Sequence, residues 1–149
     1  MKALVQRVSE ARVEVAGETC GAIGLGVLVY LGCETGDGAE QARRLAGRVA
    51  KLRLFADAAG KTNLALAEVG GSVLLVSQFT LAADTAGGNR PSFSAALAPD
   101  PARLLVDHFA RCLEVAGLPV QTGRFGAEMA VSSRNQGPAT YLLEEPRRT

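Results

Sequence analysis

Residues 71–81 have the sequence Gly71-Ser72-Val73-Leu74-Leu75-Val76-Ser77-Gln78-Phe79-Thr80-Leu81. The first half is a continuous run of valine and leucine side chains, which is typical of a strand buried on both faces. The second half becomes polar at Ser77 and Gln78 without a glycine or proline to end the strand. Polar side chains and unpaired backbone groups are costly at the end of a buried strand unless they bind something. The stretch therefore indicates either a functional site or an ordinary core strand with a capped end.

The chain before this strand alternates between apolar and polar residues, which predicts further strands. The alternation covers residues 2–8 and continues through Val13 and Val15. Ala16-Gly17-Glu18 predicts a hairpin turn, and residues 27–31 supply a returning strand. Hairpin-linked strands of this kind predict an antiparallel sheet.

Helical periodicity replaces the alternation in two segments. Apolar residues recur at helical spacing over residues 38–53 and again over residues 100–116. We therefore predict an α+β fold with an antiparallel, barrel-like sheet and two main helices, in a single domain over residues 1–149. Residues 144–149 are mostly charged and predict a frayed tail.

One face of the first predicted helix is basic. Arg44, Arg48 and Lys51 lie beside its apolar stripe, and Arg43 and Arg53 are close by. Such a stripe indicates a solvated helix face or, alternatively, a patch that contacts phosphate groups.

Composition limits the function classes. Hydrophobic residues make up 48% of the chain and charged residues 21%, the balance of a globular protein. With a net charge of +1, electrostatic binding of nucleic acid would require a local basic patch on the surface. Three widely spaced cysteines indicate free thiols in a reducing compartment. No apolar run approaches the ~18 residues of a membrane-spanning helix, so we expect a soluble cytoplasmic protein without membrane contact.

The chain has few residues suited to acid–base or metal chemistry. His108 is the only histidine, and its place on the apolar side of the second helix predicts packing in the core. The chain therefore offers no triad and no metal cluster, and we expect neither a metal nor a cofactor. Residues 82–98 show little periodicity, and a loop of that length in a small domain is often functional.

Four sequence blocks occur in an order and at a separation that point to one family. Residues 77–81 (Ser-Gln-Phe-Thr-Leu) and 135–140 (Asn-Gln-Gly-Pro-Ala-Thr) resemble its two signature motifs. Residues 90–93 and 125–129 resemble the blocks between those motifs. On these residues the chain resembles the D-aminoacyl-tRNA deacylases, homodimeric enzymes that remove D-amino acids from mischarged tRNA. The resemblance covers residues 6–143, nearly the whole chain.

The resemblance implies hydrolysis of the ester between an amino acid and the terminal ribose of tRNA. Such a reaction needs an activated water and donors for the developing oxyanion. Ser77, Gln78, Phe79 and Thr80 would form the catalytic motif, with backbone N–H groups of the last two as donors. Because no protein base is near, the family suggests that the substrate's own 2′-hydroxyl helps to activate the water. Thr80 as a covalent nucleophile is the rival, although its hydroxyl is weak without a general base.

Chiral selection would fall to Gly137-Pro138. In the family this peptide bond is cis, and the pair enters the partner subunit's pocket, where its carbonyls occupy the space of an L side chain. Glycine has no side chain to clash, so glycyl-tRNA is expected to be a substrate too. The resemblance also implies that Arg7 braces the pair. The residues expected to bind the aminoacylated 3′ end of tRNA are Arg7, Phe125, Ala127, Met129, Asn135 and Thr140.

The residues leave two other function classes open. One is an RNA-binding module without catalysis, although near-zero net charge and 5% aromatic residues argue against a stacking platform. The other is a small-molecule esterase on the same scaffold. Comparing turnover of D-aminoacyl-tRNA with turnover of simple D-amino acid esters separates all three.

Overall fold

A computed structural model describes residues 1–146, which form eight strands and two α-helices. Their bounds are β1 Lys2–Val15, β2 Glu18–Ile23, β3 Gly26–Gly32, α1 Ala39–Lys51, β4 Arg53–Ala56, β5 Thr62–Ala65, β6 Ser72–Ser77, α2 Pro99–Val115, β7 Val120–Thr122 and β8 Ala130–Glu144. Short 3₁₀ turns follow β5 and β6, at Leu66–Val69 and Phe79–Ala82. Both helices begin and end within two residues of the predicted bounds. Neither helix of the described range is long and apolar enough to cross a membrane.

The sheet is built around β1, a strand of 14 residues. Along one edge, β1 pairs with β3 through its first half and with β2 through its second half. Along the other edge it pairs with β8, again antiparallel. β6 then lies parallel to β3, and β7 lies parallel to β6. The separate β4–β5 hairpin completes the strands.

The α+β class and the barrel-like sheet are confirmed, but the sheet is mixed rather than wholly antiparallel. The segment between β3 and β6 carries α1 and the β4–β5 hairpin, and the segment between β6 and β7 carries α2. Connections of that length allow the chain to cross over and bring the next strand back in parallel. Alternation in the sequence predicts each strand but not how distant strands pair.

β6 is buried on both faces, as its apolar sequence predicts. Val73 and Leu75 pack in a cluster with side chains of both helices, including Phe109 of α2. Leu74 and Val76 alternate with them and pack in a second cluster on the opposite face of the sheet. A one-residue slip in the pairing of β6 would move each of its side chains to the opposite face of the sheet. Burial of both faces therefore fixes the register of β6, and with it the position of its polar end.

The position of His108 differs from the prediction of a packed core residue. Its side chain is half-buried, with Nε2 3.7 Å from the Sγ of Cys112. The stripe that α2 buries contains Phe109 and Leu113, and His108 lies at the margin of that stripe. Its half-exposed position follows from a helix that buries one face alone.

Part of the predicted C-terminal tail is held by the rest of the fold. Glu144 is the last residue of β8, and the Glu145 N–H donates to the carbonyl of Met1 at 2.9 Å. The Glu145 carboxylate accepts a hydrogen bond from Arg44 Nε at 2.6 Å. The prediction of a frayed tail is therefore wrong for Glu144 and Glu145, because both have partners elsewhere in the fold. Residues 147–149 of the predicted tail lie outside the described residues.

Candidate active site

The polar end of β6 continues directly into a 3₁₀ turn. Ser77 is the last residue of β6, and the N–H of Gln78 still donates to the carbonyl of Leu31 in β3 at 2.8 Å. The turn begins at Phe79, and the first N–H groups of any helix lack acceptors within it. No residue of the described range accepts a hydrogen bond from the N–H of Phe79 or Thr80. Two backbone donors are therefore available at the end of the buried strand.

A cavity of about 640 Å³ lies beside this turn. Its wall combines the end of β6, the loop before α2, the first turns of α2 and residues 125–131. That volume is within the range of small-ligand sites. The predicted site residues that line it are Ser77, Gln78, Phe79, Phe125, Ala127 and Met129. Thr80 is not part of the wall, and its Oγ1 accepts a hydrogen bond from the amide Nε2 of Gln78.

No charged or histidine side chain of residues 1–146 lines this cavity. Cys33 is on its wall, where burial, together with the nearby Asp37 carboxylate, raises the pKa of the thiol to about 12. The thiol is therefore protonated at neutral pH and is not a nucleophile. The described residues also include no cluster of three His, Cys, Asp or Glu able to hold a metal ion. The cavity offers apolar surface and hydrogen-bond donors, and no general base.

Aromatic side chains of the cavity are unusually exposed for their size. Phe79 and Phe93 are 58% and 42% exposed, and their ring centroids lie 5.1 Å apart in an edge-to-face arrangement. Phe125 lies on another part of the wall, and its ring centre is 5.3 Å from the guanidinium of Arg103, which does not itself line the cavity. Phe93 is not among the predicted site residues. The sequence indicates its importance only through the family block at residues 90–93 and the long loop with little periodicity after β6.

Gly137 and Pro138 lie in a bulge of β8. Pairing with β1 passes from Gln6–Thr140 to Val8–Asn135, so residues 136–139 bulge out opposite Arg7. The peptide bond between Gly137 and Pro138 is cis, as the resemblance predicts. Both residues are exposed, and neither lines the cavity of the chain to which they belong.

Arg7 holds this bulge against the β4–β5 hairpin. Its Nη1 donates to the carbonyl of Leu54 at 2.6 Å, while Nε and Nη2 donate to the carbonyl of Gln136 at 3.2 and 2.9 Å. A Cβ on Gly137 would lie 2.8 Å from Arg7 Nη2, and the φ of +127° is one that L-residues rarely adopt. The φ angle therefore favours glycine at position 137, and the Arg7 guanidinium occupies the space beside it.

Asn135 and Thr140 close the neck of the bulge. Nδ2 of Asn135 donates to Oγ1 of Thr140 at 2.9 Å, and its Oδ1 accepts from the N–H of Ala139 at 2.9 Å. Gln6 Nε2 also donates to Oγ1 of Thr140, at 3.3 Å. The structure thus divides the predicted site residues between a cavity and a separate bulge.

Comparison with known proteins identifies sequence relatives of this chain. A family model described as D-Tyr-tRNA(Tyr) deacylase matches residues 4–144. The chain belongs to this family. The D-aminoacyl-tRNA deacylase of Cereibacter sphaeroides (strain ATCC 17029 / ATH 2.4.9) is 54% identical over 144 residues, 97% of this chain and 99% of that protein. The D-aminoacyl-tRNA deacylase of Geobacter sulfurreducens is 52% identical over 149 residues, 100% of this chain and 98% of that protein.

Solved structures share the fold of this deacylase family member. One described as c-Myc DNA Unwinding Element Binding Protein has a TM-score of 0.92 and 36% identity, covering 99% of this chain and 100% of that chain. A probable eukaryotic D-amino acid tRNA deacylase has a TM-score of 0.81 and 19% identity, covering 95% and 97%, and it supports the fold alone. The family resemblance seen in the sequence motifs is confirmed.

Proposed function

We propose that this chain is an enzyme, a carboxylic ester hydrolase that removes D-amino acids from D-aminoacyl-tRNA. The observation that carries the proposal is the cavity beside Ser77–Phe79, where backbone donors meet a wall without charged side chains. Family membership and relatives named D-aminoacyl-tRNA deacylase supply the substrate class. The products are free amino acid and tRNA, so the enzyme serves quality control of translation in the cytoplasm.

The protein's part in the chemistry is to stabilise charge. The N–H of Phe79, on the cavity wall, donates to the oxyanion that forms as water attacks the ester carbonyl, and the N–H of Thr80, at the next position of the turn, is assigned as the second donor. Losing one donor of this kind costs an enzyme roughly 10²–10³-fold in rate, so a fixed pair is a large contribution. The hydroxyl of Thr80 is bonded to Gln78. We assign Thr80 a positioning role, because no base of the described residues lies near enough to activate it.

A hydroxyl group of the substrate transfers the proton. The oxygen of a water molecule bonds to the carbonyl carbon, and the bond from that carbon to the ribose oxygen breaks. The proton lost by the water passes to the leaving ribose oxygen, relayed by the neighbouring 2′-hydroxyl. RNA-assisted catalysis of this kind uses no metal and no cofactor.

Rejection of L-aminoacyl-tRNA is assigned to the bulge of a partner subunit in a homodimer. In one chain the bulge is exposed and apart from the cavity, so it acts on the cavity of a second copy. There the carbonyls of Gly137 and Pro138 occupy the space that an L side chain needs, while a D side chain points elsewhere. Glycine is not excluded, so glycyl-tRNA is hydrolysed as well.

The remaining site residues divide by location. Phe125, Ala127 and Met129 line the cavity and bind the aminoacylated 3′ end of tRNA. Arg7, Asn135 and Thr140 hold the shape of the bulge through the contacts described above. They therefore act on the substrate through Gly137 and Pro138 rather than by direct contact.

The test measures the turnover of several substrates by one preparation of the protein. We expect turnover of D-aminoacyl-tRNA and glycyl-tRNA, no turnover of L-aminoacyl-tRNA, and little turnover of a D-amino acid ethyl ester. A tRNA that ends in 2′-deoxyadenosine should bind but not be deacylated. Equal turnover of the ethyl ester would make the protein a small-molecule esterase. Binding of tRNA without turnover would make it an RNA-binding module.

A further inference from the structure

A basic groove lies along α1, outside the cavity described above. It encloses about 710 Å³ between the helix and the end of β8. The charged residues that line it are Arg43, Arg44, Arg48, Lys51, Arg53 and Glu145. The basic face predicted on this helix therefore lines a groove.

Positive charge in the groove exceeds the acidic partners available to it. The Glu145 carboxylate pairs with Arg44 at 2.6 Å and Arg48 at 3.1 Å. Arg43 pairs with Glu40 at 2.7 Å, so five cations face two anions. No ion pair of the described residues involves Lys51. A net positive concave surface is complementary to an anionic ligand.

Gly47 also lines the groove, between Arg44 and Arg48 in the helix. A glycine inside a helix costs about 1 kcal/mol relative to alanine. No described neighbour requires it, since a Cβ at Gly47 would meet no atom within 4 Å and its φ lies outside the left-handed region. The missing side chain leaves the floor of the groove open between the basic residues. An open floor lets a ligand approach the helix backbone closely.

The length of the groove favours a chain of phosphates over a single anion. The basic side chains on α1 run from Arg43 to Lys51, eight positions, or about 12 Å at 1.5 Å per residue. A strand of nucleic acid carries one phosphate per nucleotide and presents a row of charges on this scale. A row of cations matches a row of phosphates.

The groove is connected to the bulge of β8. Arg53 is followed by Leu54, whose carbonyl accepts a hydrogen bond from Arg7. The same guanidinium holds the carbonyl of Gln136, the residue before Gly137. Through Leu54 and Arg7, the groove and the bulge are therefore linked within one subunit.

We propose that the groove along α1 binds the phosphate backbone of the tRNA substrate. The inference rests on the proposed function and adds to it the surface that holds the body of the RNA. The subunit that supplies the bulge thus also supplies the phosphate contacts, while its partner supplies the cavity.

The test uses two groove variants and one matched control in the full-length protein. Lys51→Gln removes a groove charge, and Gly47→Gln fills the floor without changing charge. Lys61→Gln removes another exposed lysine, one that does not line the groove. Each is assayed with D-aminoacyl-tRNA over a range of salt concentrations and with D-aminoacyl-adenosine, which has no phosphate chain. Thermal unfolding checks that each variant is folded, and glutamine should not weaken the helix at position 47.

For D-aminoacyl-tRNA, we expect Lys51→Gln to raise KM roughly two- to fivefold at low salt. The slope of log KM against log salt should fall by about one, with kcat unchanged. Gly47→Gln should also raise KM, and neither variant should affect D-aminoacyl-adenosine. If the parent hydrolyses D-aminoacyl-tRNA and the groove variants have the same KM and salt dependence as Lys61→Gln, the groove proposal is overturned and the proposed function is not. A parent that hydrolyses neither substrate would overturn the proposed function and the groove proposal with it.

Discussion

Among single residues, Arg7 joins two parts of the molecule that are distant in sequence. Its guanidinium donates to Leu54 in the β4–β5 hairpin and to Gln136 in the bulge of β8. A planar fork with several donors can hold two carbonyls in set directions at once, which a lysine ammonium does less well. The position of Gly137 therefore depends on the shape of this side chain as well as on its charge.

The first prediction follows from that geometry. Arg7→Lys keeps the charge but loses the fork, so we expect the bulge to move and L-aminoacyl-tRNA to become a substrate. The ratio of kcat/KM for D- over L-aminoacyl-tRNA should fall by at least about tenfold, the equivalent of one charged hydrogen bond. Arg12→Lys, an exposed change on the same strand, is the control. An unchanged ratio in Arg7→Lys would remove Arg7 from chiral selection.

The second prediction concerns Thr80, whose hydroxyl is bonded to Gln78 and not turned into the cavity wall. The proposed mechanism relies on backbone N–H groups to stabilise the oxyanion, so Thr80→Ala removes only one positioning hydrogen bond. We expect kcat to fall by no more than about tenfold. Thr80→Ser should restore most of that loss. Mass spectrometry during turnover should find no acyl group on Thr80. Detection of an acyl-Thr80 species would establish the covalent route instead.

At the level of secondary structure, the parallel pairing of β3 with β6 places the active-site turn. Gly26 begins β3 and pairs with Ser72 at the start of β6. A Cβ at Gly26 would lie 1.9 Å from the carbonyl oxygen of Ser72, far inside any contact distance. The glycine thus allows the two strands to approach closely at Gly26 and Ser72, the first pair of their register.

The third prediction compares two neighbouring glycines. Gly26→Ala should lower the free energy of unfolding by roughly 3 kcal/mol or more, because backbone has to move to admit the methyl group. Gly24→Ala should change it little, since a Cβ there meets no atom within 4 Å. Chemical denaturation of both variants measures the difference. Equal stability of the two would show that the β3–β6 approach tolerates a side chain.

For the whole molecule, Glu145 ties the end of the last strand to the first helix. The hydrogen bond from Arg44, followed by that from Arg48, holds the pKa of its carboxyl below the usual range, against the opposing effect of burial. A carboxylate with a lowered pKa stabilises the folded state at neutral pH. That stabilisation declines as the pH falls below about 4.3, the usual glutamate value, and through the folded pKa.

The fourth prediction tests this contact by its pH dependence. Glu145→Gln should lower Tm by about 2–4 °C near neutral pH, equivalent to roughly 1 kcal/mol. The difference from the parent should shrink towards zero in acid, because the parent carboxylate is then protonated as well. Glu18→Gln, at an exposed site without an ion pair in the described range, serves as the control. A difference that persists unchanged in acid would mean that the contact is not electrostatic.

The fifth prediction concerns assembly. Pro138, Tyr141 and Leu142 are exposed on β8 of the single chain, and the proposed mechanism needs the bulge to reach a second copy. We expect a dimer by sedimentation at the concentrations used for assay. Loss of L-rejection on dilution into monomers would support the shared site. A monomer that still rejects L-aminoacyl-tRNA would contradict it.

The features that can be predicted from the sequence are those that depend on local patterns of residues. The apolar run of β6, its polar end at Ser77 and the two helices follow from side-chain periodicity, which depends on near neighbours in the chain. The two motifs identified the family because their residues and their order are properties of the sequence. The second motif likewise contains Gly137, and the φ of +127° at that position is one that glycine adopts readily.

The remaining features depend on contacts between residues that are distant in the chain. Parallel pairing of β3 with β6, the presence of Phe93 in the cavity wall and the attachment of Glu145 to Arg44 each join segments far apart in the chain. The separation of the cavity from the bulge is of the same kind. Such contacts are set by how helices and strands pack around a common core, and the free energy of that packing is shared among many residues. No short stretch of sequence contains that information.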